Sequence, residues 1–248
     1  QNLWKRVVNQ PQLKMRINKY LAHCGVASRR KSEELILDGR ISINGRIIMD
    51  LASIVEDGDK VTLDDNPIKI PQNFEYYILH KPKNYICTNN DELGRKNVTD
   101  LISSKHRIYP VGRLDKDTTG LIILTDDGDL ANKMLHPKFQ IARKYYAYTK
   151  EELQQKDIQK IKKGIFLARR ERVNADIKHV GFEKGKYKWR IILKEGKNRE
   201  IRRIFLKYNI KVYNLHRYAF GGFTLKGIDR GDSKKINKKE IIDRLKIS

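Results

Sequence analysis

The 248 residues carry 53 Lys and Arg against 30 Asp and Glu, a formal net charge of +23, with 39% of residues hydrophobic. That length suits one large domain or a small and a medium one, with enough apolar residues for a core. No run approaches eighteen apolar residues, which excludes a membrane-spanning helix. Cys24 and Cys87 are too few for a disulfide framework and wrong for a zinc site. The opening Gln1-Asn2-Leu3-Trp4-Lys5 lacks the apolar stretch of a secretory signal, so a cytoplasmic setting with reduced thiols is expected. Positive charge in this excess points to a polyanionic partner, because each Lys or Arg placed at a phosphate releases condensed counterions. Residues 1–73 hold 12 basic and 9 acidic residues, a net +3, which leaves +20 for residues 74–248.

In chain order, Ile17, Tyr20, Leu21 and Cys24 follow helical spacing over residues 15–25, with Gly25 suited to the position after the helix. Ser28 is placed to cap a second helix running through Leu35 and Ile36 toward Gly39. Residues 41–48 predict a hairpin turning at Asn44-Gly45, and a strand over 60–63 follows the Asp57-Gly58 turn. The second helix starts Ser28-Arg29-Arg30-Lys31. Cations there oppose the helix dipole, so a phosphate held by them and by free backbone N–H groups is a reason for the pattern, and a solvated charged turn is the alternative.

Residues 15–70 resemble an S4 RNA-binding domain. The resemblance is carried by Ala27-Ser28-Arg29-Arg30 and by Asp38-Gly39-Arg40-Ile41-Ser42-Ile43-Asn44-Gly45. It implies binding of structured RNA through the two helices and the hairpin edge, by Arg16, Lys19, Ser28, Arg29, Arg30, Lys31, Arg40 and Asn44.

Pro67 to Pro71 reads as a linker, and a second domain is expected over 74–248. Strands are predicted at 77–79, 120–125 and 187–193, and helices at 129–135 and 151–163. A helix is expected to begin at Asn198 with Ile201, Ile204, Phe205 and Tyr208 on one face. Asn237 caps a last helix with Glu240 in the capping-box position. The class is α+β, with a central mixed or antiparallel sheet.

The densest polar motif is Val111-Gly112-Arg113-Leu114-Asp115-Lys116-Asp117-Thr118-Thr119-Gly120. As bare chemistry it is a metal loop, a phosphate loop or a polar turn. It has few carboxylates for a metal and lacks the Gly-Lys-Ser/Thr ending of a P-loop. The motif, continued by Leu121 and by Leu124-Thr125-x-Asp127-Gly128, resembles the central motif of the pseudouridine synthases that modify ribosomal RNA. The resemblance extends over 76–245 through His80-Lys81-Pro82-Lys83, His136-Pro137, Lys144-Tyr145-Tyr146 and Glu195-Gly196-Lys197-Asn198-Arg199-Glu200-Ile201-Arg202-Arg203.

The resemblance implies that Asp115 is the catalytic carboxylate, that Tyr146 packs on the target base, and that Arg202 forms an ion pair with the aspartate. It also implies RNA contacts from Arg113, Lys144, Lys197, Arg199 and Arg203, and a ribosomal RNA or pre-ribosomal particle as partner. The large-subunit RNA is favoured over the small-subunit RNA. A non-catalytic assembly factor is the rival from another class, and a monomer is expected. Isomerising uridine breaks a C–N bond and makes a C–C bond without redox change or a group donor, so no cofactor or metal is called for. The step needs one ionised carboxylate at the sugar, a guanidinium to keep it charged, and an aromatic plane for a flipped base. Three positions depart from the family pattern: Glu200 for Gln, His80 for Asn and Asn84 for Gly. Arg199 and Arg203 are expected to share a helix stripe facing phosphates, with Arg202 at the border of the buried face.

Overall fold

The computed structural model describes residues 13–88, 91, 93–168 and 170–247, and the chain divides into two compact units, one ending at Phe74 and the other beginning at Glu75. In the first unit, helices α1 (Ile17–His23) and α2 (Arg29–Leu37) pack together beside short strands. Ile17, Tyr20, Leu21, Ile36, Ile41, Val55 and Val61 form its core. The Ser28 side chain accepts a hydrogen bond from the Lys31 N–H, as an N-cap does. Strands Ile41–Ile43 and Arg46–Ile47 pair around Asn44 and Gly45, whose φ values of 53° and 80° are those of a type I′ turn. The residues expected to open a linker instead extend this sheet, with Asn66–Pro67 pairing antiparallel to Val61–Leu63. Proline is tolerated there because the strand lies at the sheet edge.

The second unit is built on a mixed sheet. Its long strands are β1 (Tyr76–Lys81), β2 (Thr118–Thr125), β3 (Arg143–Thr149), β4 (Asp176–Glu183), β5 (Lys186–Leu193), β6 (Val212–Phe220) and β7 (Ser233–Ile236). They lie in the order β4-β5-β3-β6-β2-β1-β7, and the β6–β2 pair is parallel while its neighbours are antiparallel. The helices are α3 (Gly128–Leu135), α4 (Gln155–Lys163), α5 (Glu200–Leu206) and α6 (Lys238–Leu245). On one face of the sheet, Leu79, Ile122, Tyr145, Ala147, Trp189, Ile191 and Leu215 meet Ile158 and Ile161 of α4 and Ile204 and Phe205 of α5.

Several predicted elements shift. Strand β2 begins two residues before the expected Gly120, and α4 begins at Gln155 rather than at residue 151. Helix α5 begins at Glu200, not Asn198, because Arg199 takes a left-handed conformation with φ 47° and turns the chain into the helix. Among the described residues no helix is long and apolar enough to cross a membrane.

Candidate active site

The loop carrying Asp115 is shaped by its backbone before any side chain acts. Gly112 has φ 73°, and a Cβ on Gly120 would lie 2.2 Å from the Arg217 carbonyl oxygen, so the β2–β6 approach requires glycine there. Asp115 closes a turn by accepting the Thr118 N–H at 3.0 Å, and Lys116 accepts the Asn84 N–H at 2.9 Å. Beneath this turn sits Lys81, fully buried at the end of β1. Its ammonium donates to the carbonyls of Pro82 (3.1 Å), Asp115 (3.1 Å), Lys116 (3.2 Å) and Thr118 (2.8 Å). Burial pushes its pKa down, against the pull of neighbouring acidic groups.

The Asp115 carboxylate faces two guanidiniums. Arg199 Nη1 lies 3.4 Å from Oδ2, and Arg202 Nε lies 3.6 Å from the same oxygen. The two cations differ in setting, since the Arg202 side chain is 15% exposed and that of Arg199 52%. Arg202 Nη1 donates to the Val212 carbonyl at 2.8 Å, while its buried Nε and Nη2 have no hydrogen-bond acceptor among the described residues. Burial lowers the Arg202 pKa, and Asp115 beside it pulls the other way. Arg203 points elsewhere and forms a two-pronged pair with Glu171, with Nη1 at 2.9 Å from Oε1. The expected pairing of Arg199 with Arg203 on one outer stripe is therefore corrected. Arg199 precedes the helix in a left-handed turn, so helical spacing does not govern where it points.

The cleft is lined by Arg113, Leu114, Asp115, Arg143, Tyr145, Lys197, Arg199, Glu200, Leu215 and Arg217, among others. A second, overlapping space of about 700 Å³ opens along Asp115, Lys116, Lys194 and Asn198, a size within the usual range for small-molecule sites. Tyr146 is absent from both linings. Along β3, Arg143, Tyr145, Ala147 and Thr149 are buried and Lys144, Tyr146 and Tyr148 are half-buried. Successive strand side chains point to opposite faces, so Tyr145 lies on the Asp115 face, while Tyr146 stacks on Tyr218 with ring centroids 4.4 Å apart. The expected placement of Tyr146 beside Asp115 is corrected to Tyr145, and Lys144 likewise lies away from the cleft. The signal was present in the sequence: Arg143-Lys144-Tyr145 fits a basic-x-Tyr pattern as well as Lys144-Tyr145-Tyr146 does.

The family departures acquire local reasons. Asn84 has φ 68°, a conformation that asparagine tolerates where glycine is usual. Glu200 is buried and accepts the Lys197 N–H at 2.9 Å. Burial raises its pKa above the ordinary glutamate value, against the pull of the Lys197 N–H and neighbouring cations. His80 Nδ1 lies 3.1 Å from the Ile228 carbonyl. Lys197 Nζ donates to the Arg172 carbonyl at 2.6 Å.

In the first unit, several predicted RNA contacts are engaged internally. Arg40 forms a two-pronged pair with Asp64, Lys31 pairs with Glu34, and Asn44 bonds Asp59 at 2.8 Å. Arg16, Arg29 and Arg30 are exposed, Lys19 is half-buried, and neither Arg29 nor Arg30 has a carboxylate partner among the described residues.

The arrangement is one carboxylate facing two cations in a cleft floored by a tyrosine, on a mixed sheet with helices packed against it. That is the arrangement expected of an RNA pseudouridine synthase. The family model for RNA pseudouridylate synthase matches residues 75–207, and that for the S4 domain matches residues 15–71. A Bacillus subtilis protein named ribosomal large subunit pseudouridine synthase B is 36% identical over 230 residues, covering 91% of this chain and 93% of its own length. An Aquifex aeolicus protein named as an uncharacterized RNA pseudouridine synthase is 37% identical over 237 residues, covering 94% and 95%. A crystal structure of a pseudouridylate synthase has the same fold, with a TM-score of 0.65, 23% identity, and coverage of 93% of this chain and 99% of its own. This chain belongs to the RNA pseudouridine synthase family and carries an S4 domain ahead of its synthase domain.

Proposed function

We propose that this protein converts uridine to pseudouridine in large-subunit ribosomal RNA, in the cytoplasm and as a monomer, with Asp115 as the reacting carboxylate. The observation that carries the reading is the Asp115 carboxylate in an open cleft with guanidinium nitrogens at 3.4 and 3.6 Å. The buried Arg202 places a positive charge beside that carboxylate where water is partly excluded. Asp115 acts at the sugar as nucleophile or base while the N1–C1′ bond breaks. The detached uracil turns, C5 bonds to C1′ as Asp115 leaves the sugar or returns its proton, the C5 proton leaves to solvent, and N1 takes up a proton in its place. Tyr145 supplies the plane that holds the loose base through that rotation. Lys81 holds the backbone of residues 115–118. The relative from Bacillus subtilis, similar over nearly the whole chain, supports the large-subunit substrate.

The test combines Asp115→Asn with mapping of pseudouridine in ribosomal RNA from cells lacking the gene. The amide keeps the side-chain shape but loses its charge, so RNA binding stays near wild type and conversion stops. A mutant strain with an unchanged large-subunit modification pattern, or an Asn variant that turns over at the wild-type rate, refutes the reading.

A further inference from the structure

The sheet face opposite Asp115 carries an organised array of cations. On that face Tyr146 lies opposite Arg190 and His216, and Tyr148 lies opposite Lys188 and Asn214. Strand β6 bulges at this end: Tyr148 pairs with Asn214 and Thr149 with Val212, leaving Tyr213 unpaired at the rim. Three ammonium groups converge on the Tyr213 ring, with Lys150, Lys211 and Lys186 at 5.3, 5.4 and 5.6 Å from its centroid. Lys188 continues the row at 4.9 Å from the Tyr146 ring and 5.8 Å from the Tyr148 ring.

Three cations over one ring cannot each have a face to themselves, so at least two share one. The ring attracts each ammonium but cancels none of its charge. Lys188 has a carboxylate partner, Glu183, at 2.8 Å. Among the described residues Lys150, Lys186 and Lys211 have none. These three charges come from the ends of three strands, and the phenol rings hold them side by side despite their repulsion. The rim also adjoins the cleft. Tyr213 follows Val212, whose carbonyl receives Arg202, and stands two residues from Leu215, which lines the cleft. Two residues of strand span about 7 Å.

We propose that this tyrosine-backed lysine rim is a second RNA site, which grips the phosphate backbone of the strand flanking the uridine held at Asp115. The inference rests on the reading of the protein as an enzyme of ribosomal RNA. Extended charge at a sheet end suits successive phosphates of a strand better than a single small anion. The rings are occupied by ammonium groups, so the grip is independent of base identity.

The test uses the full chain and a transcribed fragment of large-subunit ribosomal RNA. One variant replaces Lys150, Lys186 and Lys211 with Gln. A control replaces three exposed lysines of α4, Lys156, Lys162 and Lys163, with Gln and so removes the same charge. Affinity is measured against salt concentration, with single-turnover conversion at saturating RNA and a thermal melt as a check on folding. Three lost phosphate contacts reduce the slope of log affinity against log salt by about 2–3. Conversion at saturation stays within twofold of wild type, and the control loses less than one in slope. A rim variant with the wild-type slope, or a control with an equal loss, overturns the proposal. A wild-type protein that leaves ribosomal RNA unmodified overturns the functional reading instead, while the two slopes still judge the rim.

Discussion

Removing the two guanidiniums one at a time gives a quantitative test of how Asp115 is held. At 3.6 Å, with an effective dielectric of about 20 for a site near the surface, the Arg202–Asp115 attraction is about 4.6 kcal/mol. The Arg199 side chain is half exposed at 3.4 Å, where a water-like dielectric leaves about 1 kcal/mol, the usual ceiling for solvent-exposed pairs. Arg202→Ala is therefore expected to lower the chemical step by about three orders of magnitude, since roughly 1.4 kcal/mol is one factor of ten. Arg199→Ala lowers it by less than about tenfold on the same scale. Arg202→Lys restores part of the loss, because an ammonium keeps the charge but cannot hold it beside Asp115 while also donating to the Val212 carbonyl, as the guanidinium does through Nη1. Arg203→Ala leaves the rate near wild type and lowers stability only slightly, through loss of its solvent-screened pair with Glu171. The assay is single-turnover tritium release from RNA labelled at uracil C5, followed against pH, with affinity measured separately. If Arg199→Ala slows the chemistry as much as Arg202→Ala, or if Arg202→Ala weakens only binding, the division of labour drawn from burial is wrong.

Two further outcomes follow from buried groups. Lys81→Met removes four hydrogen bonds from beneath the Asp115 turn; the Asp115 and Lys116 carbonyls keep partners in Thr118 and Asn84, so urea unfolding should show a loss of about 2–4 kcal/mol, and unchanged stability would mean that the ammonium is dispensable. His216 has its pKa pushed down to about 4, first by burial and then by His80 and Arg230. A base whose folded pKa is depressed binds its proton more readily when unfolded, so stability is full above about pH 6.5 and is lost on the way down to about pH 4, reaching roughly 2 kcal/mol of loss at pH 5. His216→Asn should flatten unfolding free energy between pH 7 and pH 5, and an undiminished slope in the variant would assign the effect to other groups.

Much of the fold was legible because local chemistry decided it. Ser28 before α2, Asn237 before α6 and Asn44-Gly45 in the hairpin each use a side chain or backbone preference that no distant residue alters. The motif around Asp115 was legible as a loop, since Gly112 and Gly120 occupy conformations that other residues rarely adopt. Other features depend on partners far away in sequence. Arg199 reaches Asp115 only because a left-handed residue precedes α5, and nothing in Asn198-Arg199-Glu200 marks the switch. Arg203 is held by Glu171, which belongs to a hairpin 32 residues earlier. Lys81 stood in a recognisable motif, yet its function as a buried donor to four carbonyls is visible only once β1 lies beside the Asp115 turn. A lysine in sequence reads as a surface charge.

The tyrosine assignment shows how sharply such ambiguity resolves. Strand side chains repeat every two residues, so a slip of one position carries a residue through the sheet. Tyr145 and Tyr146 are adjacent and chemically identical, and the difference between them lies wholly in which face β3 turns toward α5 and the cleft. Tyr145 is 7% exposed and lines the space beside Asp115. Tyr146 is stacked on Tyr218 on the other side. Tyr145→Leu keeps most of the buried apolar volume but removes the plane on which a base can rest, and stacking of that kind is worth about 1–3 kcal/mol, or roughly 5- to 150-fold in rate. Tyr145→Phe keeps the plane and is expected to retain most of the rate. Tyr146→Ala gives up a ring pair worth about 1 kcal/mol of stability and leaves the chemical step within about twofold of wild type. Single-turnover rates and urea midpoints for the three variants separate the two faces. A large rate loss in Tyr146→Ala with Tyr145→Leu unaffected would place the base on the opposite side of the sheet from Asp115, and the cleft described above could not be where the uridine is held.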